Sequence, residues 1–181
     1  MKLMIASDLH GSGYYAKKLI DAFHAEGAEK LLLLGDLLYH GPRNSLPQDY
    51  DCPTVAQQLN AMKDQIIAVR GNCDCEVDQM VLEFPIMADY ALVEWNGLTL
   101  FATHGHRYNE TCPPPMADGT ILLNGHFHVP ACADHEWYTY INPGSTSLPK
   151  NGSVGSYLIL EDRTFTWKDM DGNAYKSYTI K

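Results

Sequence analysis

Five short polar clusters hold most of the residues in this chain that could do chemistry: Asp8-Leu9-His10, Gly35-Asp36, Gly71-Asn72-Cys73-Asp74, His104-Gly105-His106 and Gly125-His126-Phe127-His128. Carboxylate and amide oxygens together with imidazole nitrogens are ligands for divalent cations. If the clusters meet, Asp8, His10, Asp36, Asn72, His104, His126 and His128 supply seven donors. A single tetrahedral or octahedral ion does not normally draw that many from protein, whereas two ions sharing a carboxylate do. Asp36 is the candidate bridge, because it is the lone strong ligand of its cluster. Taken singly, each cluster reads more readily as a structural turn, and Asn72 as a left-handed strand exit. Their joint occurrence carries the metal reading.

The elements that would position them are visible just upstream. Each cluster follows an apolar run of strand length: Leu3 to Ala6, Leu31 to Leu34, Ile66 to Val69, Leu98 to Ala102 and Ile121 to Leu123. Ligands of parallel sheets gather at the carboxyl ends of strands, where loops converge around a crevice. Met1 to Ser7 reads as the first strand, Tyr14 to Ala25 as a helix ended by Gly27, and Lys30 to Leu34 as the second strand. Tyr39 to Pro53, with three prolines, reads as a long loop before a helix capped by Thr54; Gln65 to Val69 is a third strand. This alternation predicts right-handed crossovers and a mostly parallel sheet.

From Tyr90 onward the pattern changes. Strands are predicted at Tyr90 to Glu94, Leu98 to Ala102, Thr120 to Leu123, Tyr138 to Ile141, Gly155 to Leu160, Thr164 to Lys168 and Tyr175 to Ile180. Turn signals at Asn96-Gly97, Glu161-Asp162 and Asp171-Gly172-Asn173 suit antiparallel hairpins and imply a second sheet. Tyr138, Tyr140, Tyr157 and Trp167 alternate as core or sheet-face residues.

Composition excludes several classes. A chain of 181 residues with 45% hydrophobic and 19% charged residues fits one globular domain, not a disordered or coiled-coil chain. Its apolar runs fall far short of the roughly 20 residues of a membrane span, and no signal-peptide core opens it, so a cytoplasmic location is expected. The net charge of −9 disfavours extended nucleic acid, which is held by clustered cations. The five cysteines are odd in number and read as free thiols, and Cys73-Asp74-Cys75 lacks the second pair that a soft-metal site needs. Ser145 has no evident base, which sets a serine nucleophile aside.

The order D-x-H, G-D, G-N-x-D, H-G-H, G-H-x-H resembles that of the calcineurin-like metallophosphoesterases over residues 1 to about 150, and Asn142-Pro143-Gly144-Ser145 is similar to a turn of their small bacterial and archaeal members. Within the family, Gly71-Asn72-Cys73-Asp74 with His40-Gly41-Pro42-Arg43-Asn44 resembles the YfcE-type phosphodiesterases. The resemblance implies an α/β (α+β) fold, a four-layer αββα sandwich of two mixed β-sheets flanked by helices, and one metallophosphoesterase domain over residues 1–181. It implies a small phosphodiester substrate, hydrolysed by a hydroxide activated between two divalent metal ions. Mn2+ is the first expectation, with Ni2+, Fe, Zn2+ or Mg2+ as alternatives. By the same resemblance Asp8, His10 and His128 hold one ion, Asn72, His104 and His126 the other, and Asp36 both. Two aspartates and a hydroxide offset three of four positive charges, so the pocket stays cationic inside an acidic protein.

Most of the family carry His where this chain has Cys73, and that His is thought to protonate the leaving oxygen or steady the transition state. A neutral thiol is a weaker donor, which narrows the expected substrates to esters with good leaving groups. His106 is the remaining candidate acid or donor, Asp74 a candidate to orient Cys73 or a ligand histidine, and Arg43 a candidate for a non-bridging phosphate oxygen. Each has a plainer alternative, as a loop histidine, a turn residue and a surface charge. Two other functional readings stand beside the diesterase: a phosphomonoesterase, and a phosphoesterase-like scaffold that binds proteins, as retromer's small subunit does. The complete ligand set favours an enzyme. Small members of the family often assemble through their outer sheets, so a homo-oligomer stands beside a monomer as an alternative that the sequence leaves open.

Overall fold

The computed structural model describes residues 1–181. Three parallel strands, β1 (Lys2–Ala6), β2 (Lys30–Leu33) and β3 (Ile66–Ala68), stand side by side, with Leu3 opposite Lys30 and Leu31 opposite Ile66. They are apolar on both faces because both are covered. Met4, Ala6, Leu31 and Leu33 pack under helices, while Leu3, Ile5, Leu32 and Leu34 point into the space between two sheets.

Helix α1 (Gly13–Glu26) starts where the Ser12 hydroxyl accepts the Tyr15 N–H and ends at Gly27, whose φ of 64° closes the last turn. Helix α2 (Cys52–Asn60) begins earlier than Thr54 predicts. Its cap is Asp51, which accepts the Thr54 N–H, and Pro53 falls in the first turn, where a missing N–H costs nothing. A third helix, α3 (Glu76–Val81), was not expected; it is fixed at its start by the Asp78 carboxylate, which accepts the Cys75 N–H.

Strands β4 (Tyr90–Trp95), β5 (Leu98–Thr103), β6 (Thr120–Leu123), β7 (Ala131–Asp134) and β8 (Tyr138–Asn142) form the second sheet in the order β4-β5-β6-β8-β7. It is mixed, because β5, β6 and β8 run parallel. The last three strands, β9 (Ser156–Glu161), β10 (Thr164–Asp169) and β11 (Ala174–Thr179), return to the first sheet, which is ordered β11-β10-β9-β1-β2-β3. Strand β9 is apolar on both faces, with Leu158 and Leu160 on the inner side and Tyr157 and Ile159 on the helix side. Only a central place beside β1 buries both.

The two sheets thus face each other across Leu3, Ile5, Leu100, Ile121, Leu158 and Trp167. Helices α1 and α2 layer onto the first sheet, while the outer face of the second, at Phe101, Leu122, Tyr138 and Tyr140, is packed by Tyr108 and Met116 of the loop 104–119. No helix is long and apolar enough to cross a membrane.

Candidate metal centre

The carboxyl ends of β1, β2, β3, β5 and β6 converge, and all five clusters meet there. Asp8 and His10 follow β1, Asp36 follows β2, Asn72 follows β3, His104 follows β5, and His126 and His128 follow β6. Asp8, His10, Asp36, His126 and His128 all take left-handed backbone conformations, with φ between 48° and 65°. Each such residue costs on the order of 1–2 kcal/mol in an L-amino acid. The strain is held by surrounding bonds: the N–H groups of Asp8 and His10 reach the carbonyls of Gly35 and Asp36, and the His126 N–H reaches Asp8 Oδ2 at 3.0 Å. The Asn-Pro-Gly-Ser turn has a part in this, since the hydroxyls of Ser145 and Ser147 both donate to the Asp8 carbonyl.

Three imidazoles are oriented by backbone. Nδ1 of His10, His104 and His128 donates to the carbonyls of Tyr39 (2.8 Å), Leu34 (2.7 Å) and Leu148 (2.6 Å). This aims each Nε2 into the crevice, where it presents a lone pair once the ring is neutral. There His10 Nε2 lies 3.2 Å from His128 Nε2, and Asp8 Oδ1 lies 3.2 Å from His128 Nε2 and 3.6 Å from His10 Nε2. A second group forms where His104 Nε2 stands 3.0 Å from Asn72 Oδ1 and 3.2 Å from His126 Nδ1. Asp36 Oδ2 lies between the groups, 3.8 Å from His10 Nε2 and 3.4 Å from His104 Nε2.

Lone pairs facing lone pairs repel unless something positive sits among them. Asp8 Oδ1 is fully buried and accepts no hydrogen bond, although buried acceptors are nearly always paired. The donor set is carboxylate, amide and imidazole, the mixture that divalent first-row cations take. These residues fit a cation in each group.

The charge pattern agrees. Burial raises the pKa of Asp8, but the adjacent His10 and His128 outweigh it and hold it well below the usual carboxylate range. Burial pulls His104 down, yet its contacts with Asp36 and Asp8 hold it up at about 9, while His126 is pushed to about 4 by burial and by the His104 charge. A ligand must shed its proton to bind metal. A proton held on His104 competes with a cation, so apparent affinity should rise at least about tenfold per pH unit between pH 7 and 8 and flatten near 9, with His10, which Asp8 also holds up, adding to the slope below that. Calorimetric titration at three pH values, with proton release followed in a weak buffer, checks this; a flat affinity contradicts it.

The four other expected residues lie close by but differ in what they touch. Asp74 is buried and its carboxylate is occupied by three backbone N–H groups, of Asp36 (2.8 Å), Leu37 (2.9 Å) and Gly71 (2.7 Å). It pins the two ligand turns to each other, and its bonds go to neither Cys73 nor a histidine. The Cys73 N–H donates to Asp36 Oδ1 at 2.8 Å, and its thiol is pushed far up by burial and by Asp36, so it is protonated. His106 lies 5.5 Å from His104, ring to ring, and its pKa is lowered by burial and by the His104 charge. Arg43 is exposed on the wall of a cleft of ≈ 360 Å³ that opens onto Asp36, His126 and His128.

That cleft has two lining side chains that the sequence did not single out, Phe127 and Lys150. Phe127 sits between two ligands in the sequence, where it reads as a spacer. Lys150 is brought in because its N–H bonds the carbonyl of His128, 22 residues away, a pairing that no local pattern signals.

The fold and the donor cage define a class. The chain belongs to the calcineurin-like phosphoesterase superfamily, whose domain model matches residues 1–164. It is 44% identical to phosphodiesterase YfcE of Escherichia coli K12 over 162 residues, 90% of this chain and 88% of that one. It is 28% identical to phosphodiesterase MJ0936 of Methanocaldococcus jannaschii over 165 residues, 84% of this chain and 91% of that one. The solved structure of the E. coli phosphoesterase superposes with a TM-score of 0.96 over the whole of both chains. Vps29 of Entamoeba histolytica, 16% identical with a TM-score of 0.65 over the whole of both chains, shares the fold alone.

Proposed function

We propose that the protein is a metal-dependent phosphodiesterase acting on small organic phosphate diesters, with two divalent cations shared through Asp36. One observation carries this reading: Asp36 Oδ2 stands between two separate groups of inward-facing donors. Asp8, His10 and His128 would hold one ion and Asn72, His104 and His126 the other. When bound, such ions neutralise phosphoryl oxygens and acidify water for in-line displacement. The names of the two phosphodiesterase relatives support the substrate class. The five free thiols fit a reducing, cytoplasmic setting, and a first sheet completed by β9 to β11 fits one domain over residues 1–181.

The residues of this chain then divide the work. Arg43 and Lys150 stand exposed on the cleft wall and draw an anionic ester toward Asp36 against the −9 charge of the whole. The Cys73 thiol holds its proton and offers only a weak donor to a leaving oxygen. His106, with its lowered pKa, is neutral at pH 7 and donates from one ring nitrogen at most. Without a strong acid, the chain depends on the leaving group's own stability. Cys73→His is therefore expected to raise the rate on alkyl diesters relative to p-nitrophenyl diesters by about a hundredfold, the low end of general acid catalysis. An unchanged ratio of the two rates would sink this role for the thiol.

Substrate class is tested by comparing p-nitrophenyl phosphate with bis(p-nitrophenyl) phosphate, which share a leaving group. Faster cleavage of the diester is expected. A clear preference for the monoester would overturn the diesterase reading in favour of a phosphatase.

A further inference from the structure

Phe127 is a large apolar side chain left 45% exposed beside a metal cage. Its backbone is held in place by the bonds around it. Its N–H bonds the Gly125 carbonyl, the N–H of His126 bonds Asp8, and the ring of His128 is tied to the Leu148 carbonyl. His126 and His128 on either side both hold left-handed conformations. Its ring meets His126 edge-on at 5.3 Å, and it lines the same cleft as Asp36, Arg43 and Lys150. Neither of those cations has a carboxylate partner within ion-pair distance, whereas Arg70 and Arg107 are both paired to Asp89. The cleft therefore offers unpaired positive charge for a phosphate and, next to it, one aromatic face left open to solvent.

We propose that Phe127 determines specificity by forming a platform for a planar ring on the ester arm that stays on the phosphate, so that the diesters this protein prefers carry an aryl or nucleobase group opposite the leaving group. This deepens the diesterase reading and rests on it. An aromatic ring with two rotatable bonds loses little freedom on binding, and a stacked ring is sequence-tolerant and apolar where the phosphate end is ionic. The ring supplies affinity and orientation, not chemistry, so Phe127 acts on the binding of the arm that carries the ring.

Two matched pairs of ligands test it with Mn2+-loaded protein. In kinetics, p-nitrophenyl methyl phosphate and bis(p-nitrophenyl) phosphate share a leaving group and differ in the remaining arm. The unaltered protein should prefer the bis-aryl ester; Phe127→Ala should lose about tenfold in kcat/KM on it, mainly through KM, and less than about twofold on the methyl ester. Phe127→Trp should restore the preference. In calorimetry, AMP should bind about tenfold more tightly than ribose 5-phosphate, and Phe127→Ala should erase that difference. Equal losses on both esters in Phe127→Ala, or no loss, would overturn the platform and leave Phe127 a spacer between ligands. If no diester is cleaved at all, the diesterase reading fails, and the AMP comparison still decides whether the ring is a platform.

Discussion

Asp36→Asn is expected to lower kcat/KM for bis(p-nitrophenyl) phosphate on the order of a thousandfold, about 4 kcal/mol of barrier. The reason is position. Asp36 Oδ2 lies 3.8 Å from His10 Nε2 and 3.4 Å from His104 Nε2, so its charge serves both donor groups at once. An amide in its place keeps an oxygen for the Cys73 N–H, which Asp36 Oδ1 accepts at 2.8 Å, but removes the negative charge that two dications would share. The variant should therefore fold and bind metal poorly. Metal content, melting temperature and kcat/KM measured on one preparation check this. A variant with full metal content and near-normal turnover would contradict the shared carboxylate.

Gly71→Ala is expected to cost at least a hundredfold in activity together with about 3 kcal/mol of stability. A Cβ at Gly71 would lie 2.0 Å from Asp36 Oδ1 and 2.3 Å from Asp36 N. Neither atom can give way cheaply. Asp36 N donates to the buried Asp74, and Oδ1 accepts the Cys73 N–H. Relief moves the turns after β2 and β3 apart, and with them Asp36 and Asn72. Gly119→Ala is the control, because Gly119 has a φ of 81° with open space around its missing Cβ. It should lose about 1 kcal/mol from backbone strain and keep its activity. Denaturant midpoints and kcat/KM for both variants separate crowding at the centre from the general cost of replacing glycine. Equal behaviour of the two would remove Gly71 from the positioning of Asp36.

The donors of the centre were legible because each sits directly behind an apolar run, and a strand that is buried on both faces announces its own end. The groups that aim them were not. His10, His104 and His128 are oriented by the carbonyls of Tyr39, Leu34 and Leu148, and a backbone carbonyl is the same in every residue. Asp74 looked like a neighbour of Cys73, yet it is tied to the amides of Asp36, Leu37 and Gly71 across the sheet. In the fold, helix α3 has six residues and buries none of them, so it has no apolar period to read. Strand β7, with Ala131–Asp134 only partly covered, gave no alternation. The hairpin signals near the C-terminus identified strand partners correctly but pointed to the second sheet, whereas β9 to β11 complete the first. The double-faced burial of β9 was the available clue, and it distinguishes an edge from a centre only once β1 is known to be vacant on that side.

The central claim is that two cations held by this cage make the protein a phosphodiesterase. The direct measurement is turnover of bis(p-nitrophenyl) phosphate by chelator-treated protein as Mn2+ is added back in known equivalents. The account predicts no turnover without metal, a rise that levels at two equivalents per chain, and loss again on chelation. Turnover that survives chelation, or none when both ions are bound, would contradict it.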